Sequence, residues 1–210
     1  DFRSSDGVYS VQVGRHLTAE QLVSHTMFER YPEDFFDFYK KYLVYPDAKP
    51  NAAHRYLARL EQTGKLKAVV TQNIDSLHEM AGSKKVLKLH GSADRNYCTG
   101  CQRFYDLEAF LALAGTIPHC LDCGKVVKPD VTLYEEPLDM DVFSQAARAI
   151  KEADLLIIGG TSLVVYPAAS LIQYFQGKNL VVINKTSIPQ DQADLVIEGK
   201  IGQVFSKLRQ

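Results

Sequence analysis

The sequence predicts an α/β protein in which a doubly wound parallel sheet carries a small metal-stabilised insert. Helical spacing and short apolar runs alternate along most of the chain, which is typical of parallel strands joined by helices. The stretch from Asp154 to Gly159 (DLLIIG) is apolar after its first residue, as expected of a strand buried on both faces. Two Cys-x-x-Cys pairs, beginning at Cys98 and Cys120, interrupt the alternation and indicate a separate metal-binding segment.

The first part of the chain predicts a loop followed by three helices. Residues 1–17 are polar and predict the loop. Helical spacing begins after Thr18, a suitable N-cap, and continues to Met27. Pro32 opens a second helix, whose aromatic side chains indicate packing in a core or lid more than a cofactor site. The third predicted helix covers residues 51–62.

The remainder alternates strands and helices around the cysteine-bearing insert, which covers residues 92–133. Predicted strands cover residues 65–71, 84–90, 154–159, 179–184 and 193–197. Predicted helices cover residues 139–152 and 167–175, and a short helix follows Gly199.

The length, charge and composition of the chain limit its possible functions. The 210 residues suffice for one large domain, or one domain with a small insert. The formal net charge is -1 with both signs mixed, so there is no basic stripe for binding nucleic acid directly. These 210 residues show no secretory apolar region and no apolar run long enough to cross a bilayer. We therefore expect a soluble, cytoplasmic protein that does not act on nucleic acid.

The four cysteines predict a structural zinc site. They are the only cysteines in the chain, and eighteen residues separate the two pairs. Four thiolates can close a tetrahedral site that holds the insert folded and takes no part in chemistry. Two disulfides and a redox Cys-x-x-Cys are alternatives, but nothing indicates an oxidising compartment, and a redox motif usually occurs once. The predicted ligands are Cys98, Cys101, Cys120 and Cys123.

Four polar clusters follow predicted strands, where doubly wound sheets bind their ligands. Amide and carboxylate groups suit a ribose or carboxamide, a histidine suits general-base chemistry, and small residues with free N–H groups suit a phosphate. Taken singly, each cluster has a structural alternative: a helix cap, a core histidine, a tight turn or a strand end. The clusters are Gln72-Asn73-Ile74-Asp75, His90-Gly91, Gly159-Gly160-Thr161-Ser162 and Asn184-Lys185-Thr186.

Taken together, these motifs make the chain resemble the sirtuin family of NAD-dependent protein lysine deacylases, and its bacterial members in particular. The resemblance runs over essentially the whole chain. It rests on Asp1-Phe2-Arg3-Ser4, Thr71-Gln72-Asn73-Ile74-Asp75, Leu77-His78, Lys88-Leu89-His90-Gly91, both cysteine pairs, Lys128-Pro129-Asp130-Val131, Tyr134-Glu135-Glu136, Gly160-Thr161-Ser162-Leu163 and Ile183-Asn184.

The resemblance implies two domains. Residues 1–91 and 134–210 are expected to form a Rossmann-like NAD-binding domain. The zinc module, residues 92–133, is expected to form the small domain together with a helical insert at about residues 18–48. NAD and an acyl-lysine peptide or protein would enter opposite ends of the cleft between them.

The resemblance also implies residue roles. His90 matches the general base that deprotonates the cofactor ribose, and Asn73 matches a second catalytic residue. Phe2 and Arg3 match a loop that closes over the nicotinamide. The other expected cofactor contacts are Gln72, Ile74, Asp75, Gly160, Thr161, Ser162, Asn184, Lys185, Thr186 and Ile201. The peptide is expected to be sandwiched as an added strand between Val131, Thr132, Leu133 and Tyr134 on one side and Val164 and Tyr166 on the other.

The expected reaction yields nicotinamide, deacylated lysine and O-acyl-ADP-ribose. Mono-ADP-ribosyl transfer is an alternative that shares the first step. The family's Gly-rich dinucleotide loop precedes Asp1 and is absent from these residues, so we expect a chain limited to them to bind NAD weakly. A non-catalytic zinc-stabilised binding module is the alternative in that case. Tyr9 is followed three residues later by Gln12, not by the Arg of members that prefer acidic acyl groups, which favours neutral acyl groups.

Overall fold

The computed structural model describes residues 17–161, 164–186 and 193–208. These residues divide into two compact units. The first comprises the described residues up to Asp47, together with Asn73–Ser76 and His90–Pro137. The second comprises Ala48–Gln72, Leu77–Leu89 and the described residues from Leu138 onward.

The described secondary structure consists of eight α-helices, one 3₁₀ helix and eight strands. The helices are α1 (Ala19–Leu22), α2 (His25–Arg30), α3 (Pro32–Tyr42), α4 (Ala52–Gln62), α5 (Leu77–Met80), α6 (Leu107–Leu111), α7 (Met140–Lys151) and α8 (Ile201–Ser206), with the 3₁₀ helix at Ala168–Tyr174. The strands are β1 (Val69–Thr71), β2 (Val86–Lys88), β3 (Gly91–Cys98), β4 (Phe104–Tyr105), β5 (Val127–Val131), β6 (Leu155–Gly159), β7 (Asn179–Asn184) and β8 (Leu195–Glu198). Among the described residues, no helix has the length and apolar character needed to cross a membrane.

The first unit contains four helices, α1, α2, α3 and α6, and an antiparallel sheet of order β4-β3-β5. Thr18 caps α1 as predicted, in a capping box with Gln21. The single helix expected to reach Met27 is wrong, because the chain breaks into α1 and α2. The break occurs at Ser24, which pairs with Tyr134 and whose hydroxyl caps the new helix by accepting from the Met27 N–H.

The aromatic residues of α3 form the core of this unit. Phe35, Phe36 and Tyr39 are fully buried, and the rings of Phe28 and Phe110 lie against them in mostly edge-on geometry. The prediction that this aromatic helix serves packing is confirmed.

The second unit contains the parallel strands that the structure describes, β1, β2, β6, β7 and β8. The pair β1-β2 and the triple β6-β7-β8 are hydrogen-bonded as two separate sheets. Successive residues of β6 face opposite sides: Leu156 joins a core with α7, whereas Ile157 joins a core with α4 and α8. Leu87 of β2 belongs to the same α7 core as Leu156. Helices therefore lie on both sides of β6, which confirms the doubly wound class. The expectation that this strand is buried on both faces is wrong, because its three central residues are only half-buried and Leu155 is exposed.

Several strand boundaries differ from the prediction, including that of the strand expected over 193–197, which lies at Leu195–Glu198. The strand expected over 84–90 ends at Lys88, because His90 lies in a turn and Gly91 already pairs with β5. The strand expected over 65–71 begins only at Val69, whose N–H bonds the Lys85 carbonyl oxygen.

Candidate active site and cysteine cluster

The four predicted zinc ligands converge in the first unit. Their sulfur atoms all lie within 4.8 Å of one another. Sγ of Cys98 is 3.3 Å from that of Cys123, and Sγ of Cys101 is 3.6 Å from that of Cys120. Four bonds of about 2.3 Å in a tetrahedron place sulfur atoms about 3.8 Å apart, so the cluster fits one zinc ion. The separations are too long for disulfide bonds, which excludes that alternative.

Hydrogen bonds from the surrounding loops point towards the sulfur atoms. The N–H groups of Gly100 and Cys101 lie 3.3 and 3.4 Å from Sγ of Cys98. The hydroxyl of Tyr105 donates to Sγ of Cys120 at 3.3 Å and lowers the pKa of that thiol to about 6. Such donors stabilise the thiolate form that binds a metal. The residues therefore fit a structural zinc ion that supplies folding energy and has no open position for substrate.

His90 lies in the turn between β2 and β3 and is half-buried. Its carbonyl oxygen accepts a hydrogen bond from the Thr132 N–H at 3.0 Å. The next residue, Gly91, pairs with Val131 at the end of β5. The structure thus brings the predicted general base next to the first two residues of the predicted peptide-binding segment.

Gly91 is required at this position by both its backbone angle and its neighbour. Its φ is +75°, and an added Cβ would overlap the carbonyl oxygen of Asp130 and lie 3.2 Å from the Cα of Val131. We expect Gly91→Ala to destabilise the protein by about 3 kcal/mol, the combined cost of a left-handed backbone and a steric overlap. The measurement is the free energy of unfolding in urea.

Gly115→Ala is the matched control, because Gly115 has a φ of +82° and its nearest atom, the Ile117 carbonyl oxygen, is 3.8 Å from the added Cβ. This variant should lose only about 1 kcal/mol. If both variants lose the same free energy of unfolding, the overlap between the added Cβ at position 91 and the Asp130 carbonyl oxygen is relieved by movement of the backbone.

The segment after β1 crosses the boundary between the units. Gln72 belongs to the second unit, and Asn73 and Asp75 belong to the first. Asn73 is exposed, whereas Asp75 is half-buried. The side chain of Ile74 is buried in the core of the first unit and its carbonyl oxygen accepts from the Ala93 N–H, so this predicted cofactor contact also has a packing role.

Another group of predicted cofactor contacts assembles in the second unit, where β6 and β7 end and α8 begins. Gly160, with a φ of +63°, bonds the carbonyl oxygen of Ile183 through its N–H. The side chain of Ile201 occupies the space in which a Cβ of Gly159 would lie. Asn184 ends β7 and donates to the Thr186 carbonyl oxygen at 3.0 Å. The same edge also includes Thr161, which is half-buried, and Lys185 and Thr186, which are exposed.

The predicted peptide-binding residues divide between the two units. Val164 and Tyr166, in the second unit, are 56% and 70% exposed. In the first unit, the N–H groups of Thr132, Leu133 and Tyr134 bond His90, Glu136 and Val23. A peptide strand added beside these three residues therefore cannot pair with their N–H groups without breaking existing bonds, and the carbonyl oxygens of Leu133 and Tyr134 already accept from the N–H groups of Glu136 and His25. The sequence prediction did not include this restriction.

Three predicted site residues, Phe2, Arg3 and Ser162, lie outside the described residues, as do Tyr9 and Gln12. The sequence prediction also missed a set of polar contacts between α2 and the turn after β5. Glu135 and Glu136 make these contacts with Thr26 and His25. The sequence signals were a pair of adjacent acidic residues and their place in the motif Tyr134-Glu135-Glu136 that contributes to the family resemblance.

Comparison with known proteins agrees with this architecture. The model of the Sir2 family matches residues 1–167. An NAD-dependent protein deacetylase of Clostridium perfringens (strain 13 / Type A) is 60% identical over 210 residues, which are 99% of this chain and 86% of that protein. The NAD-dependent protein deacetylase of Clostridium tetani (strain Massachusetts / E88) is 53% identical, covering 98% of this chain and 83% of that protein.

Solved structures give the same result. A Sir2 structure with a deacetylated p53 peptide and 3′-O-acetyl ADP ribose has a TM-score of 0.89 and 35% identity, covering 98% of this chain and 84% of that chain. A structure of Sir2 with p53 peptide and NAD+ has a TM-score of 0.83 and 35% identity, covering 95% and 85%. A family match over most of the chain, together with relatives of this identity and coverage, shows that the chain belongs to the Sir2 family.

Proposed function

We propose that this chain is an NAD-dependent protein deacetylase, which uses NAD to remove an acyl group from lysine and releases nicotinamide and O-acyl-ADP-ribose. The observation that carries the proposal is the 60% identity to a protein named for this activity, over 86% of that protein's length. The structural neighbours are described with NAD+, with an acetylated peptide and with a propionylated peptide, which supports an acyl-lysine peptide or protein as the second substrate.

His90 is proposed as the general base of this reaction. The half-buried imidazole lies in a turn whose backbone is fixed to Thr132, and Thr132 belongs to the proposed peptide-binding segment. A base held in this way could take the proton of a ribose hydroxyl of bound NAD. NAD would supply the ribose from which nicotinamide leaves and to which the acyl group is transferred from the lysine nitrogen. Asn73 and Asp75 are proposed to orient the nicotinamide ribose and carboxamide through hydrogen bonds.

The edge formed by Gly160, Thr161 and Asn184 is proposed to hold the rest of NAD. The N–H of Gly160 is donated to Ile183, so this glycine is proposed to let a phosphate approach the backbone closely and not to donate to it, and the amide of Asn184 at a strand end suits ribose hydroxyls. A zinc ion held by the four cysteines is proposed to stabilise the fold of the first unit and to take no part in the reaction. Roles for Phe2, Arg3 and Ser162, the neutral acyl preference and the cytoplasmic location stay predictions.

The proposal is tested by incubating the purified protein with NAD and a synthetic acetyl-lysine peptide. We expect mass spectrometry to show loss of the acetyl group from the peptide, together with nicotinamide and O-acetyl-ADP-ribose among the products. The reaction should stop when NAD is omitted. A peptide or protein that gains ADP-ribose while the acetyl group stays in place would replace deacetylation with ADP-ribosyl transfer.

A further inference from the structure

The turn that follows β5 contains a backbone conformation that is unfavourable for its residue. Glu135 has a φ of +75°, in the left-handed region that costs a non-glycine residue about 1–2 kcal/mol. Such a conformation persists only where surrounding contacts hold it, and it is often found at functional sites. Glu135 directly follows Tyr134, the last residue of the proposed peptide-binding segment.

The carboxylate of Glu135 is bound to the first turn of α2. One oxygen accepts from the N–H of Thr26 at 2.9 Å and from its hydroxyl at 2.7 Å. These bonds lower the pKa of Glu135, so the group is a carboxylate at neutral pH. The two residues are 109 positions apart in the chain, so the contact ties the turn to a distant helix.

Glu136 makes a second connection to the same helix. Its carboxylate accepts from the Leu133 N–H at 2.9 Å, lies 3.3 Å from Nζ of Lys128 and lies 3.0 Å from Nδ1 of His25. Burial raises the pKa of this carboxyl, but the bonds from Leu133 and His25 and the charge of Lys128 outweigh it, and the pKa lies below its ordinary value.

Backbone hydrogen bonds also attach Tyr134 to residues around the start of α2. The N–H of Tyr134 bonds the carbonyl oxygen of Val23 at 3.1 Å, and the N–H of His25 bonds that of Tyr134 at 2.9 Å. At the other end of the segment, Thr132 is bonded to His90. Residues 132–136 are therefore fixed at one end to the proposed general base and at the other end to α2.

We propose that Glu135 and Glu136 are positioning residues for the acyl-lysine peptide. They hold residues 132–134 in the conformation that meets the peptide backbone, so the cost of ordering this segment is met before the peptide binds. Neither carboxylate needs to touch NAD or the reacting atoms. This inference rests on the proposed deacetylase function and adds the origin of peptide affinity to it.

The test is steady-state kinetics with the purified protein, NAD and one acetyl-lysine peptide. We expect Glu136→Gln to raise the KM for the peptide about tenfold, because a charged hydrogen-bond acceptor is lost, with the KM for NAD unchanged. Thr26→Val removes the hydroxyl donor to Glu135 at almost constant volume and should raise the peptide KM about threefold. Thr26→Ser retains that hydroxyl and should restore the wild-type value.

Glu108→Gln is the matched control, because Glu108 is an exposed carboxylate on α6 of the same unit. It should leave both KM values unchanged. Melting temperatures separate positioning from stability: if Glu136→Gln lowers the melting temperature and leaves the peptide KM unchanged, the role is structural and the inference is overturned. If the wild-type protein is active but neither Glu136→Gln nor Thr26→Val changes the peptide KM, only this inference is overturned. If the wild-type protein shows no NAD-dependent deacetylation, both proposals are overturned.

Discussion

Removal of zinc from the four-cysteine cluster is expected to unfold the loops that carry the ligands and to abolish the cooperative melting of the first unit. Residues 99–104 and 121–125 are exposed and bury little apolar surface that could hold them folded. Structural zinc sites contribute about 10–16 kcal/mol of apparent binding free energy, which is as large as the whole stability of a typical domain, about 5–15 kcal/mol. The loops therefore depend on the ion more than on packing.

The experiment measures zinc content and thermal unfolding before and after chelation. We expect one zinc ion per chain, loss of the transition when it is removed, and recovery on adding zinc back. Cys101→Ser should reproduce the loss. Asp122→Asn weakens only a surface ion pair with Arg103, and exposed ion pairs contribute little to stability, so this variant should retain zinc and melt within a few degrees of wild type. A metal-free protein with an unchanged melting curve would show that packing alone folds the module.

Features set by local chemistry were predictable from the sequence. The Thr18 cap, the helix opened by Pro32 and the apolar strand that became β6 each follow from residues within a few positions of one another. The zinc cluster was predictable because ligand spacing encodes its geometry directly. The doubly wound class followed from the order of strands and helices.

Features set by distant contacts could not be predicted. The break between α1 and α2 depends on the pairing of Ser24 with Tyr134, which is 110 residues away. The end of β2 before His90 depends on Thr132 and Val131 across the turn. The tie between Glu135 and Thr26 has the same non-local origin. Periodicity in the sequence carries no information on such pairs.

The polar clusters of the site were predicted as strand ends, and the roles of individual residues came from the resemblance to the sirtuin family. The rule that doubly wound sheets bind ligands beyond the carboxyl ends of their strands selected His90, Gly160 and Asn184 without any coordinates. The same rule could not show that the backbone of Thr132 binds His90, because Thr132 follows an antiparallel strand of the first unit. The function was therefore inferred from several weak signals, the polar clusters that follow successive strands, taken together.

The largest effect on activity is expected for replacement of His90 by Tyr. A phenol with an ordinary pKa near 10 is protonated at neutral pH and cannot act as the base, so we expect kcat/KM for the peptide to fall by about 10²–10⁴. Peptide affinity, measured by titration without NAD, should change less than about twofold. The backbone bond between His90 and Thr132 does not involve the side chain and should persist in the variant.

His90→Asn provides the second arm of this experiment, because the smaller amide can form hydrogen bonds but does not titrate. If His90 is the base, both variants should lose activity to a similar degree while their melting temperatures stay within a few degrees of wild type. If His90 is instead a core histidine, both variants should melt early and lose peptide binding together with turnover. Activity within tenfold of wild type in the Asn variant would require another residue as the base, because a side chain that cannot accept and release the proton cannot sustain general-base catalysis.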